Sequence, residues 1–142
     1  IAVSQRRSNR SSKVFVVMSD GECDEGTTWE SAMIASHLQL ANLFVVIDRN
    51  RIQSLGSTEE TLTLEPFADK WRAFGWETQE VPGHDYQALQ KSLATQSTPK
   101  CIIADTTKGK GVDFMENSVL WHYKSPSTDD VTKAFEQLSE NY

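Results

Sequence analysis

The sequence predicts an α/β fold, a mainly parallel sheet with helices on both faces. Two observations carry this. Short apolar runs rich in β-branched residues recur at Val14–Met18, Leu43–Ile47 and Lys100–Asp105, each followed by a polar turn. Between the first two, Trp29, Ala32, Met33, Ser36 and Leu40 recur at three- and four-residue steps, the spacing of a helix face. Strand, helix and strand in succession make a βαβ unit, whose two strands run parallel.

Residues 1–12 carry Arg6, Arg7, Arg10 and four serines with no acid. They read as a solvated linker or a frayed helix end rather than a nucleic-acid arm, because the chain as a whole is acidic. Val14–Met18 reads as a buried strand. The acidic Glu22–Glu30 segment suits the start of the first helix, whose dipole favours carboxylates there. His37 falls four residues after Met33 and reads as a hydrogen-bonded packing residue. After the second strand the chain must turn away from the sheet between Asn50 and Gly56, with Arg49 and Arg51 as solvated loop cations.

Leu64–Phe74 reads as a helix with Pro66 in its first turn and Gly75 as its stop. Phe67, Trp71 and Phe74 form its apolar face. Trp76–Val81 alternates as a strand. Pro82-Gly83-His84-Asp85 is a turn, and Asp85 caps a helix over Tyr86–Leu93. His84 reads as structural in that turn. Lys100–Asp105 is the last strand, and the Thr106–Gly111 loop with Lys108 and Lys110 could close over a phosphate. A final helix begins at 127–130 and places Val131, Ala134, Phe135 and Leu138 on one face.

If the first two strands are neighbours, Asp20 and Asn50 share the carboxyl edge of the sheet, where open α/β sheets bind ligands. Asp20 then stands at a strand end rather than in the core. A carboxylate and an amide oxygen suit a hard cation such as Mg²⁺, which takes about six oxygens and borrows several from phosphate and water. Gly21 allows close backbone approach, and the helix start behind it favours an anion. The chemistry predicted is a metal-bridged diphosphate.

This stretch resembles the thiamine diphosphate fingerprint, Gly-Asp-Gly followed by a later Asn. Asp20 and Asn50 stand 30 positions apart. Glu25-Gly26 with Trp29–Met33, Leu64–Trp76, Gly83-His84-Asp85, Lys108–Val112, Phe114–Asn117 and Trp121-His122 resemble transketolase in the same order. The likeness covers nearly the whole chain. It is strongest to bacterial transketolases whose N-terminal half is a separate subunit. One departure is Ser19, where the family has its first glycine; its hydroxymethyl group either crowds the turn or adds a hydrogen bond.

The resemblance implies one domain, residues 1–142, binding the diphosphate end of the cofactor and lacking the family's N-terminal segment. It implies thiamine diphosphate with Mg²⁺ or Ca²⁺, and a metal held by Asp20, Asn50 and the Ile52 carbonyl. Cofactor contacts fall to Asp20, Gly21, Glu22, Asn50, Ile52 and His122. Catalytic roles fall to His122, which reaches the diphosphate and substrate, and to Glu25 at a subunit interface. The implied reaction moves a two-carbon ketol unit between sugar phosphates. The implied partner is a pyrimidine-binding domain or C-terminal transketolase subunit, in a homodimer or heterotetramer. Trp29, Met33 and Glu25 would mark the helix that faces the dimer axis. Rival readings are the α-subunit of a 2-oxoacid dehydrogenase, whose Asn-Asn pair is Arg49-Asn50 here, and a truncated non-catalytic assembly module.

Composition limits the alternatives. A 142-residue chain with 38% hydrophobic and 24% charged residues is sized for one domain with a real core. A net charge of −6 argues against general nucleic-acid or anionic-membrane binding. No apolar run approaches the ~18 residues of a membrane span. Cys23 and Cys101 have no metal-ligand spacing and read as reduced thiols of a cytoplasmic protein.

Overall fold

The structure is a computed structural model that describes residues 1–94 and 97–141. Helix α1 (Ala2–Arg7) precedes strand β1 (Val14–Ser19). A 3-10 turn at Gly21–Asp24 leads into α2 (Gly26–His37) and then β2 (Leu43–Arg49). A small hairpin, β3 (Ile52–Gln53) with β4 (Gly56–Ser57), runs into α3 (Thr58–Thr61) and α4 (Phe67–Ala73). Then come β5 (Glu77–Pro82), α5 (Tyr86–Ser92), β6 (Lys100–Asp105), a 3-10 turn at Val119–His122, and α6 (Thr128–Asn141).

The main sheet is β1-β2-β6-β5 with every pairing parallel. The βαβ expectation therefore holds. Register places Ser19 opposite Asp48 and Arg49 opposite Asp105. The chain leaving β1, β2 and β6 thus emerges at one edge of the sheet. That placement builds the site.

The helices are fixed by an aromatic cluster. The Trp29 ring lies 5.3 Å from Trp71 and 5.6 Å from Phe74, and Trp71 lies 5.0 Å from Trp76. Each fully buried aromatic contributes roughly 1.5–3 kcal/mol. The indoles also choose where they sit: Trp29 Nε1–H donates to the Cys23 carbonyl at 2.8 Å and Trp76 Nε1–H to the Ala32 carbonyl at 2.9 Å. Trp29 therefore ties α2 to the turn beneath it, and Trp76 ties α2 to the start of β5. Cys23 and Cys101 are free and buried, and burial first, then nearby Asp20, pushes the Cys23 thiol up to about 12.

Several expectations need correction. Val14–Met18 is a strand, but an edge strand, with Phe15, Val16 and Val17 exposed. An unbroken apolar run does not say which side faces out, and among the described residues β1 has only β2 as a neighbour. Helix α4 begins at Phe67, not Leu64, with Pro66 as its N-cap, because the residue before a proline is disfavoured in helical backbone. Residues 2–7 form a short helix with Arg6 and Arg7 exposed, in line with the helix-end reading rather than the linker one, but Ala2 is buried against the core. His37 is exposed at the C-terminal end of α2, where the helix dipole suits a basic group. Trp29 packs inward, so it cannot mark a docking face, although Met33 on the same helix is exposed. The expected final helix needs no correction: α6 carries Val131, Ala134, Phe135 and Leu138 at the spacing of one face, with Val131 and Phe135 exposed and Leu138 half-buried.

Candidate functional site

The turn after β1 is built by its own side chains. The Glu22 carboxylate accepts from the Ser19 N–H at 2.7 Å and from its hydroxyl at 3.3 Å. The Ser19 hydroxyl oxygen accepts from the Glu22 N–H at 3.2 Å. This Ser-x-x-Glu exchange is a capping box. Ser19 therefore adds hydrogen bonds and does not crowd the turn. The spacing was readable in the sequence as a capping signal.

Asp20 is fully buried, at 0% exposure. This corrects its placing outside the core. One carboxylate oxygen accepts from Gly21 N–H at 2.9 Å. The other accepts from Arg51 N–H at 2.6 Å and from Arg49 Nη1 at 3.3 Å. The Asp20 carboxylate thus pins the end of β1 to the chain leaving β2.

Arg49 was expected to be a solvated loop cation. It is buried, at 3% exposure, and anchors a network. Besides Asp20, it donates to Thr58 Oγ1 at 2.6 Å and to Glu59 and Glu65, each at 3.0 Å. Its guanidinium sits 5.4 Å from the centre of the Phe67 ring. Burial works against its charge, but Glu65, Asp20 and Glu59 outweigh that and raise its pKa. A fork of five donors serves several carboxylates as a lysine could not.

Glu65 accepts from the Phe67 N–H at 2.8 Å, capping α4. That bond first, and Arg49 after it, hold the Glu65 carboxyl below its ordinary 4.5 against the opposing effect of burial. A depressed folded pKa stabilises above the unfolded value and is lost as pH falls through the folded one. Glu65→Gln is therefore expected to lower Tm by roughly 2–4 °C at pH 7, small because the pair is partly exposed. The gap to the parent should close as pH drops below 4.5, in thermal melts at pH 7 and at successively lower pH.

Beside this network lies a depression of about 370 Å³ at the carboxyl edge of the sheet. It is lined by Gly21, Glu22 and Glu25 from the first turn, Asn50 and Ile52 from the second, and Lys108 and His122 from the C-terminal third. Seven residues distant in sequence meet there because three parallel strands end there. Every predicted site residue lines it except Asp20, which lies buried behind it. Asn50 Oδ1 accepts from the Ile52 N–H at 3.0 Å, which fixes the amide at the mouth of the turn. Glu25 is exposed at the N-cap of α2, and its side chain makes no cap bond. Among the described residues, no cluster of three His, Cys, Asp or Glu could hold a metal. A metal here would need amide or carbonyl oxygens.

Residues 5–141 match the family model for the transketolase thiamine diphosphate binding domain. The chain belongs to the transketolase family. It is 36% identical to an apulose-4-phosphate transketolase subunit of Actinobacillus succinogenes, over 99% of this chain and 52% of that protein. It is 38% identical to the 6-deoxy-6-sulfo-D-fructose transketolase subunit SqwG of Clostridium sp., over 85% of this chain and 45% of that protein. The solved transketolase from Campylobacter jejuni superposes with a TM-score of 0.86 at 27% identity, over 97% of this chain and 23% of that one. The chain spans about half the length of the first two curated relatives. The transketolase match leaves the 2-oxoacid dehydrogenase reading without support.

The residues present fit thiamine diphosphate by donor chemistry. Asp20, Asn50 and the Ile52 carbonyl are hard oxygens suited to Mg²⁺. Lys108 and His122, which line the same depression, suit phosphate oxygens. A carboxylate accepts about four hydrogen bonds. Asp20 uses three, so one lone pair remains on the oxygen facing Gly21. One feature escaped the sequence reading: the burial of Arg49, because an arginine at a strand end is normally solvated. Lys108 was legible with Lys110 in the glycine-lysine loop expected to close over a phosphate, and of the two Lys108 lines the depression.

Proposed function

We propose that this transketolase domain binds the Mg²⁺–diphosphate end of thiamine diphosphate at the depression bounded by Gly21, Asn50, Ile52, Lys108 and His122. In an assembled enzyme it would serve two-carbon ketol transfer between sugar phosphates. The observation that carries this reading is the convergence of these residues on one sheet edge. The relatives named for apulose 4-phosphate and for a sulfo-sugar support a donor or acceptor with an anionic end.

When bound, thiamine diphosphate supplies the nucleophilic carbon that carries the two-carbon unit. The chain's residues bind and orient. Asp20, Asn50 and the Ile52 carbonyl would hold the metal, with Asp20 steadied by Arg49. Gly21 and Glu22 would line the diphosphate end, and Lys108 would offset its charge. His122 would meet the diphosphate and the substrate, and Glu25 would face a partner subunit. That partner would be a pyrimidine-binding domain, in a homodimer or heterotetramer. No described helix is long and apolar enough to cross a membrane, and two buried reduced thiols suit a cytoplasmic setting.

Titration calorimetry with thiamine diphosphate tests this. Affinity should fall at least tenfold when Mg²⁺ is removed by chelation, because the metal neutralises diphosphate beside Glu22, Glu25 and Asp48. Metal-independent affinity would contradict it.

A further inference from the structure

His84 lies outside the depression, yet it holds the segment that carries Lys108 into it. Its Nε2 accepts the Thr107 N–H at 2.8 Å. The residue before it makes the same junction: Gly83 N–H donates to the Asp105 carbonyl at 2.7 Å. A Cβ on Gly83 would stand 2.4 Å from Thr106 Cγ2 and 2.9 Å from the Asp105 carbonyl oxygen, so only glycine allows this approach. From the other side, Thr106 N–H donates to the Arg49 carbonyl at 3.2 Å, and its hydroxyl donates to Asp48. Asn117 N–H then donates to the Lys108 carbonyl at 3.0 Å. The strand leaving β6 is thus clamped between the end of β2 and the Gly83-His84 turn just before Lys108 lines the site.

We propose that His84 is a positioning residue for the diphosphate site, acting through the Thr107 amide to hold Lys108 against the bound anion. This rests on the functional reading given above. The bond requires the imidazole to be neutral with its proton on Nδ1, since a protonated ring has no acceptor. His84 is exposed, so its side chain adds little to the core; besides this hydrogen bond it interacts electrostatically with the Glu116 carboxylate of the same loop.

The test is thiamine diphosphate binding in the presence of Mg²⁺, measured on the full chain with any partner it assembles with. His84→Ala should weaken binding about fivefold to tenfold, the worth of one oriented hydrogen bond. His84→Gln should restore most of it, because its amide oxygen can accept the same N–H. In a Lys108→Ala background, His84→Ala should have almost no further effect. Hydrogen exchange at the Thr107 amide should rise in His84→Ala and stay near the parent rate in His84→Gln. A merely structural role would give additive losses in the double variant, and that result would overturn the proposal. So would unchanged binding and exchange in His84→Ala. Failure of the parent protein to bind the cofactor would instead overturn the functional reading, and this inference with it.

Discussion

Asp20→Ala is expected to abolish Mg²⁺-dependent thiamine diphosphate binding and to cost the fold about 3 kcal/mol. Both effects follow from one carboxylate. Asp20 is fully buried and accepts from Gly21, Arg51 and Arg49. Removing it strips the proposed metal of its one charged ligand. It also leaves Arg49 short of a buried partner, which costs about 3–5 kcal/mol when a pair is broken from one side. The lower end applies, since Glu59 and Glu65 still hold Arg49. Arg49→Met in the same chain should recover stability, because two charges would then be gone together, but should not recover binding. Urea unfolding beside calorimetry separates the two effects. A folded Asp20→Ala variant with parental affinity would sink the assignment.

The second large effect is catalytic. This chain alone, saturated with thiamine diphosphate and Mg²⁺, is expected to show no ketol transfer. By the resemblance to transketolase, activation needs a glutamate facing the pyrimidine ring, and that glutamate belongs to a separate pyrimidine-binding domain. Among the acids that line the depression, Glu22 is engaged by Ser19 and Asp48 by Thr106. Glu25 lies at the start of α2, and its proposed place is the subunit interface. What remains is binding and orientation, without a proton transfer worth roughly 10²–10⁴-fold. A coupled assay with xylulose 5-phosphate and ribose 5-phosphate, with and without a pyrimidine-domain subunit, reads this out. Turnover appearing only when that subunit is added is the expected result. Turnover by the lone chain, with contaminating transketolase excluded, would refute a shared site.

Much of the fold was legible because strands and helices announce themselves by period. β2 and β6 are apolar runs flanked by turn residues, and α5 starts at a readable Asp85 cap whose carboxylate accepts from Gln87 and Ala88. The site edge was legible for the same reason: parallel strands bring Asp20 and Asn50 to one side. Sidedness was not. Val14–Met18 has no alternation, so nothing marked Val17 as 76% exposed. Burial of charge was not legible either. Arg49 is buried only because Asp20, Glu59 and Glu65, far apart in sequence, converge on it. The role of His84 was hidden because its partner is a backbone amide, which no side-chain pattern reveals.

Paramagnetic NMR tests the central claim most directly. Mn²⁺ replaces Mg²⁺ in many oxygen-ligand sites and broadens signals within a short radius. Added with thiamine diphosphate to labelled protein, it should bleach the Asn50 side-chain amide and the Gly21 and Ile52 backbone amides. Signals from His37 and Leu38, at the far end of α2, should persist. Bleaching centred elsewhere, with Gly21, Asn50 and Ile52 unaffected, would contradict a metal-bridged diphosphate at the carboxyl edge of β1 and β2.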